Sequence, residues 1–105
     1  MNDLQSKAKK LAEHLNSIGF NIETVISYTK GQQVLFKKVP EDMIFISQYF
    51  GREWASGVQL KFKLINSKLI FLGKGAFGFH SDKYDTTVNN SVLTKLVQTV
   101  ENYTI

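Results

Sequence analysis

The segment from Val58 to Leu72 constrains the fold of this chain more than any other. Its first half places the apolar residues Val58, Leu60, Phe62 and Leu64 in alternation with Gln59, Lys61, Lys63 and Ile65. A period of two residues is typical of a strand with one buried face. The chain then turns at Asn66-Ser67 and continues through a second apolar run. The segment therefore predicts a β-hairpin with one apolar face and one face that carries lysines.

A two-residue turn at Asn66-Ser67 fixes the predicted register of this hairpin. On the apolar face, Leu64 is expected opposite Leu69 and Phe62 opposite Phe71. On the other face, the same register pairs Lys63 with Ile70 and Lys61 with Leu72. The second face is therefore predicted to be cationic without being purely polar.

Amphipathic helices are predicted at both ends of the chain. Near the start, Leu4, Ala8, Leu11, Leu15 and Ile18 recur at helical spacing, which predicts a helix over residues 3–18. Gly19 suits the left-handed cap that commonly follows a helix. A last helix is expected to begin at Thr87 or Asn90, with one apolar stripe formed by Val92, Leu93, Leu96, Val100 and Tyr103.

The segment between the first helix and the lysine-bearing hairpin contains two further predicted elements. Residues 21–38 are expected to form a hairpin that turns at Lys30-Gly31. Its register would set Ile26 against Leu35, Val25 against Phe36 and Glu23 against Lys38. Residues 41–50 follow Pro40 and begin with two acids, which favours a short helix. The β-branched apolar run 43–46 leaves a strand there as the alternative.

These elements predict a small α+β domain that spans residues 1–105. The expected order is helix, hairpin, short helix, hairpin and helix, with about four antiparallel strands and the helices packed on one face. Such packing would bury the side of Leu60, Phe62 and Leu64, and it would turn Lys61, Lys63 and Lys68 outward. A winged-helix-like fold is the alternative if residues 41–50 are helical.

Composition argues against most catalytic and metal-dependent functions. The chain has 105 residues, is 43% hydrophobic with eight Phe, and contains no Cys and two His. It therefore lacks thiolate nucleophiles and cysteine zinc ligands, and no nucleophile motif accompanies its histidines. His80, Asp82 and Asp85 are interpreted as polar loop residues. We expect no enzymatic activity, metal or cofactor, and the lack of an apolar N-terminal run favours a cytoplasmic protein.

The net charge of +4 is concentrated in the middle of the chain. Residues 36–70 carry six Lys or Arg against three acids, whereas residues 1–35 carry four against three and residues 71–105 carry three of each. A local basic excess is typical of surfaces that bind nucleic acid. Only Arg52 is an arginine, so the lysines would contact phosphate as point charges rather than read base edges.

The segment Gly73-Lys74-Gly75-Ala76-Phe77-Gly78 has the pattern G-x-G-x-x-G and resembles the glycine-rich loop of protein kinases. The chain lacks the other kinase motifs, so a bulged strand end is expected instead. The overlapping segment 74–79 also resembles the RNP1 element of RNA-recognition motifs, with one extra residue. This resemblance implies that Phe77 and Phe79, two residues apart, would stack on bases. An RNA-recognition motif begins with a strand, whereas this chain begins with a helix.

The sequence thus favours a non-catalytic accessory protein that binds nucleic acid, with single strands preferred over duplexes, through its lysine-bearing hairpin. The candidate binding residues are Lys37, Lys38, Lys61, Lys63, Lys68, Lys74, Arg52, Trp54, Phe77 and Phe79. The alternative is a small protein-interaction module, an adaptor or inhibitor, that binds a protein through a sheet edge or an aromatic patch. Either reading allows a homodimer, and neither involves a membrane.

Overall fold

The computed structural model describes residues 3–34, 36–48, 58–75 and 91–105. In chain order, its elements are α1 (Asp3–Ser17), β1 (Ile22–Tyr28), β2 (Gln33–Val34), β3 (Lys37–Lys38), β4 (Met43–Gln48), β5 (Val58–Ile65), β6 (Lys68–Gly75) and α2 (Ser91–Asn102). The four longer strands form an antiparallel sheet in the order β1-β4-β5-β6, and β2 pairs with β3. The predicted α+β class with four antiparallel strands is confirmed.

Both helices pack on the same face of the sheet. One core contains the buried residues of both helices and of the sheet. α1 contributes Leu4, Ala8, Leu11 and Leu15, α2 contributes Leu93, Leu96, Val97 and Val100, and the sheet contributes Ile44, Ile46, Leu60 and Phe62. Two predicted members of the helical stripes are exposed instead, Ile18 at 51% and Val92 at 44%. Ile18 follows the last residue of α1, and Val97 occupies the core position in α2, at i+4 from Leu93. Neither helix is long and apolar enough to span a membrane.

The end of α1 has the predicted left-handed cap. Gly19 has a φ of 107°, and the Phe20 amide donates a hydrogen bond to the Leu15 carbonyl at 3.1 Å. Phe20 then packs against the main core. The chain enters β1 through a second contact, in which the Ile22 amide donates to Asn16 Oδ1 at 2.8 Å. This cap directs β1 back along α1.

The predicted helix over residues 41–50 is wrong in its described part, because Met43–Gln48 is a strand. β4 lies between β1 and β5, and its apolar residues are buried on both faces. Ile44 and Ile46 face the helices, whereas Met43 and Phe45 belong to a second core on the opposite face. Burial on both faces outweighs the local helix-start signals at residues 40–42. The winged-helix alternative depended on that helix and fails with it.

The predicted hairpin over residues 21–38 is also wrong, since β1 pairs with β4. Val25 lies opposite Ile46 and Ile26 opposite Phe45, while Lys38 lies opposite Gln33 instead of Glu23. The segment 29–42, described except for residue 35, contains the short hairpin of β2 and β3 and is here called the arm. Its base is held by hydrogen bonds from the Val39 amide to the Gln32 carbonyl at 2.9 Å and from the Lys30 amide to Asp42 Oδ1 at 2.7 Å. Pairing β1 with β4 buries more apolar surface than the short arm offers.

The lysine-bearing hairpin has most of its predicted register. Phe62 lies opposite Phe71, Lys63 opposite Ile70 and Leu64 opposite Leu69. The pairing of Lys61 with Leu72 is wrong, because a bulge shifts the register and places Lys61 opposite Gly73. Gly73 has a φ of 143°, which favours glycine, so the bulge occurs where the chain can adopt it. A bulge at this glycine-rich strand end was expected.

Candidate nucleic-acid interface

The sheet face that points away from the helices, here called the outer face, carries the central lysines. Lys61 and Lys63 alternate with the fully buried Leu60 and Phe62 in β5, and both lysines are half-buried. Lys61 lies opposite Phe45, and Lys63 lies opposite Met43. The predicted orientation of the hairpin, with phenylalanine inward and lysines outward, is therefore confirmed.

No acidic residue occurs in β4, β5 or β6. These three adjacent strands carry four lysines, at positions 61, 63, 68 and 74, and neither Asp nor Glu. Antiparallel neighbours on one face lie about 5 Å apart, so side chains from these strands share a common electrostatic environment. The outer face in this region therefore carries Lys61, Lys63 and Lys68, and these three strands contribute no acidic side chain to it.

A second, smaller core lies beside the lysines on the outer face. Val39, Met43 and Phe45 are buried there, with Tyr28, Val34 and Leu72 packed against them; this set is here called the outer cluster. The Tyr28 and Phe45 rings meet edge to face, with centroids 5.5 Å apart. The arm supplies Val34 and Val39, so it covers part of the outer face. Lys61 and Lys63 are the cross-strand neighbours of Phe45 and Met43, so the aliphatic parts of both lysines border the outer cluster.

The arm adds a second group of cationic residues and an exposed ring. Lys37 and Lys38 are exposed in β3, with Lys37 opposite Val34 of the outer cluster. Phe36, immediately before them, is 97% exposed. Sequence reasoning missed Phe36 because it was assigned to a strand pair with Val25. The sequence around Phe36 offers no local signal that distinguishes an exposed ring from a strand residue.

The two remaining described candidates lie apart from this group. Lys68 is exposed at the start of β6, opposite Ile65 and bridged to Thr104. Lys74 lies opposite Leu60, which places it toward the helix-covered face of the sheet and away from Lys61. The structure thus groups Lys37, Lys61 and Lys63 around the outer cluster, with Lys68 at the far end of the same face.

Several predictions fall outside the described residues. They concern Arg52, Trp54, Phe77 and Phe79, the loop residues His80, Asp82 and Asp85, and the part of the glycine-rich segment beyond Gly75. Within residues 3–34, 36–48, 58–75 and 91–105, no cluster of three His, Asp or Glu side chains is arranged to hold a metal ion.

Apolar side chains also reach solvent among the lysines. Ile65 and Ile70 are each 38% exposed. Ile70 lies directly opposite Lys63, and Ile65 lies opposite Lys68. The lysine half of the outer face therefore offers alternating cationic and apolar contacts.

Comparison with known proteins does not add to this description. No family model, curated protein or solved structure matches the chain.

Proposed function

We propose that this chain is a non-catalytic protein that binds single-stranded nucleic acid on its outer face. The observation that carries the proposal is the position of Lys61 and Lys63 on the outward side of β5, within three adjacent strands that contain no acidic residue. A strip of cations of this kind tracks a phosphate backbone, and its affinity arises from the release of counterions. Lys37 and Lys68 extend the strip toward the arm and the β5–β6 turn.

Phe36 supplies the stacking element in this proposal. Single-stranded nucleic acids bind through aromatic rings that stack on bases beside cations that contact phosphate, and each stacked base contributes about 1–3 kcal/mol. A ring that is 97% exposed and followed by Lys37 and Lys38 fits that role. A duplex keeps its bases inside, so an exposed ring favours single strands.

The first test is titration of a fluorescent oligonucleotide at several salt concentrations. About five phosphate contacts to a single strand predict a slope of about −3.5 when log K is plotted against log salt. The affinity should fall roughly a hundredfold between about 50 and 200 mM salt. Absence of binding at the lowest salt would rule the proposal out.

The second test separates the outer face from net charge. The double variant Lys61→Glu, Lys63→Glu should abolish binding, because it reverses the centre of the strip. Lys10→Glu with Lys95→Glu is the matched control, since both lysines are exposed on helices and the net charge changes equally. Equal loss of affinity in the two double variants would indicate non-specific attraction. Phe36→Ala should weaken single-strand binding by about tenfold and duplex binding much less.

A protein partner on the same face is the second candidate, favoured by the exposure of Ile65 and Ile70. Exposed isoleucine makes no favourable contact with phosphate, whereas protein interfaces combine apolar and cationic side chains. Under this candidate, Ile70→Ser should disrupt a complex recovered by pull-down, and the lysine reversals should matter less. A complex that survives Ile70→Ser but is lost on lysine reversal would argue against it.

A further inference from the structure

The two edge strands of the four-stranded sheet, β1 and β6, differ in the hydrogen bonds made by their outer sides. The edge of β6 is covered by residues 101–105. Thr104 forms a β-bridge with Lys68, and the Ile105 amide donates a hydrogen bond to the Ser67 carbonyl at 3.0 Å. The Glu101 carboxylate accepts a hydrogen bond from the Phe71 amide at 3.2 Å. At the opposite edge, no strand among the described residues pairs with the outer side of β1. An open edge strand is a template for another strand.

A groove runs along this open edge, between α1 and β1. Its volume is about 700 Å³, and it is lined by Gln5, Ser6, Ala8, Lys9, Ala12, Val25, Ile26 and Ser27. The lining contains one cation and no acid, and Ile26 is 40% exposed at its margin. The groove therefore suits an extended segment that brings a carboxylate close to Lys9.

The position of Lys9 along β1 follows from the geometry of the two elements. α1 and β1 run in opposite directions, and Leu4 and Thr29 line one small pocket at the end of the groove. A helix rises about 1.5 Å per residue and a strand about 3.3 Å, so Lys9 lies roughly level with Ser27. By the same count, Ala12 lies roughly level with Val25.

We propose that the occupant of this groove is a second copy of the chain, whose β1 adds antiparallel to β1 about a two-fold axis at Val25. In that register, Thr24 of each copy lies opposite Ile26 of the other, and Glu23, which lies at the β-bulge between Ile22 and Thr24, extends toward Ser27 of the other copy. Each Glu23 then reaches the level of the other copy's Lys9, so two ion pairs form by symmetry. The charges are therefore self-complementary about the two-fold axis: Glu23 on β1 of each copy meets Lys9 in the groove of the other.

Two features of the sequence agree with this arrangement. Residues 24–27 contain no charged residue and no Pro, which natural edge strands use to prevent pairing, and the β-bulge of β1 lies before them, between Ile22 and Thr24. The helix residue level with the axis is Ala12, whose small side chain allows α1 of one copy to approach α1 of the other. The result is a continuous sheet of eight strands, four from each copy, with all helices on one side. This proposal does not depend on nucleic-acid binding.

Sedimentation equilibrium of the full chain without nucleic acid tests the proposal. The wild type should show a monomer–dimer equilibrium. Lys9→Glu and Glu23→Lys should each raise the dissociation constant about tenfold, since each places like charges at both symmetric contacts. The double variant should recover most of the wild-type value. A chain that stays monomeric up to about 0.5 mM, or a double variant that is as weak as the single ones, overturns the proposal.

Cysteine cross-linking tests the register, because the chain has no native Cys. A mixture of Thr24→Cys and Ile26→Cys chains should form a disulfide between the two variants, since opposed residues lie about 5 Å apart at Cα. Each variant alone should cross-link poorly, because identical positions are then about 8 Å apart. Ile26→Lys should abolish dimerisation without changing the circular dichroism spectrum. Equal cross-linking in all samples, or a dimer that survives Ile26→Lys, contradicts the register.

Discussion

At the scale of single residues, the β5–β6 turn shows where the backbone is strained. Asn66 and Ser67 both have positive φ, 51° and 65°. A two-residue turn of this kind matches the twist of the flanking strands, and it favours glycine at the second position. Asn tolerates the left-handed region, but Ser lacks that tolerance. Ser67 is therefore strained in a conformation that the hairpin requires.

Replacing Ser67 with Gly should stabilise the protein by about 0.5–1 kcal/mol, because glycine adopts positive φ without a steric penalty. Gly19→Ala is the opposite case: its φ is 107° and a Cβ there would meet no atom within 4 Å, so the cost of about 1 kcal/mol is purely conformational. Urea unfolding followed by circular dichroism measures both changes. A destabilising Ser67→Gly would show that the serine makes a contact worth more than its strain.

Local chemistry explains which candidate site residues were predictable. Alternation in β5 fixed the outward direction of Lys61 and Lys63, because a one-residue slip would have buried both of them. The exposure of Phe36 was not predictable, since phenylalanine is usually buried and its neighbours resemble a strand. Lys74 was misplaced for a different reason: the bulge at Leu72 changes the face on which later residues of β6 lie.

At the scale of elements, the limits of prediction follow from sequence separation. The β5–β6 hairpin is fixed by its own turn, so the sequence predicts it well. The partner of β1 is not fixed by any adjacent turn, because the 14 residues of the arm separate β1 from β4. That choice depends on burying Ile44 and Ile46 against the helices while Met43 and Phe45 are buried on the other side. Only the assembled sheet supplies both environments.

Phe45 should couple the arm to the sheet. Its ring is fully buried in the outer cluster, so Phe45→Ala should destabilise the protein by about 3–5 kcal/mol. Because Val34 and Val39 pack in the same cluster, the amides of Gly31 and Val39 should lose hydrogen-exchange protection first. Phe36→Ala is the control, since that exposed ring should change stability by less than about 0.5 kcal/mol. Unchanged protection of the two arm amides would show that the arm is held by other contacts.

At the scale of the whole molecule, the two proposals combine into one arrangement. A two-fold axis perpendicular to the paired sheets leaves the helices of both copies on one side and both outer faces on the other. Five strand spacings of about 4.8 Å separate β5 of one copy from β5 of the other, a distance of roughly 24 Å. Two lysine strips would therefore lie within reach of one nucleic-acid strand.

A strand long enough to contact both strips should favour the dimer, because a ligand stabilises the state that binds it more tightly. An oligonucleotide of about 20 nucleotides spans the distance even when stacked at about 3.4 Å per nucleotide, whereas one of about four does not. The long strand should bind at least tenfold more tightly per chain and shift sedimentation toward the dimer. Lys9→Glu, on the helix side of the sheet, should remove most of that advantage while leaving the affinity for the short strand unchanged. If the long strand gains nothing over the short one, or if Lys9→Glu weakens both equally, the two faces do not act together.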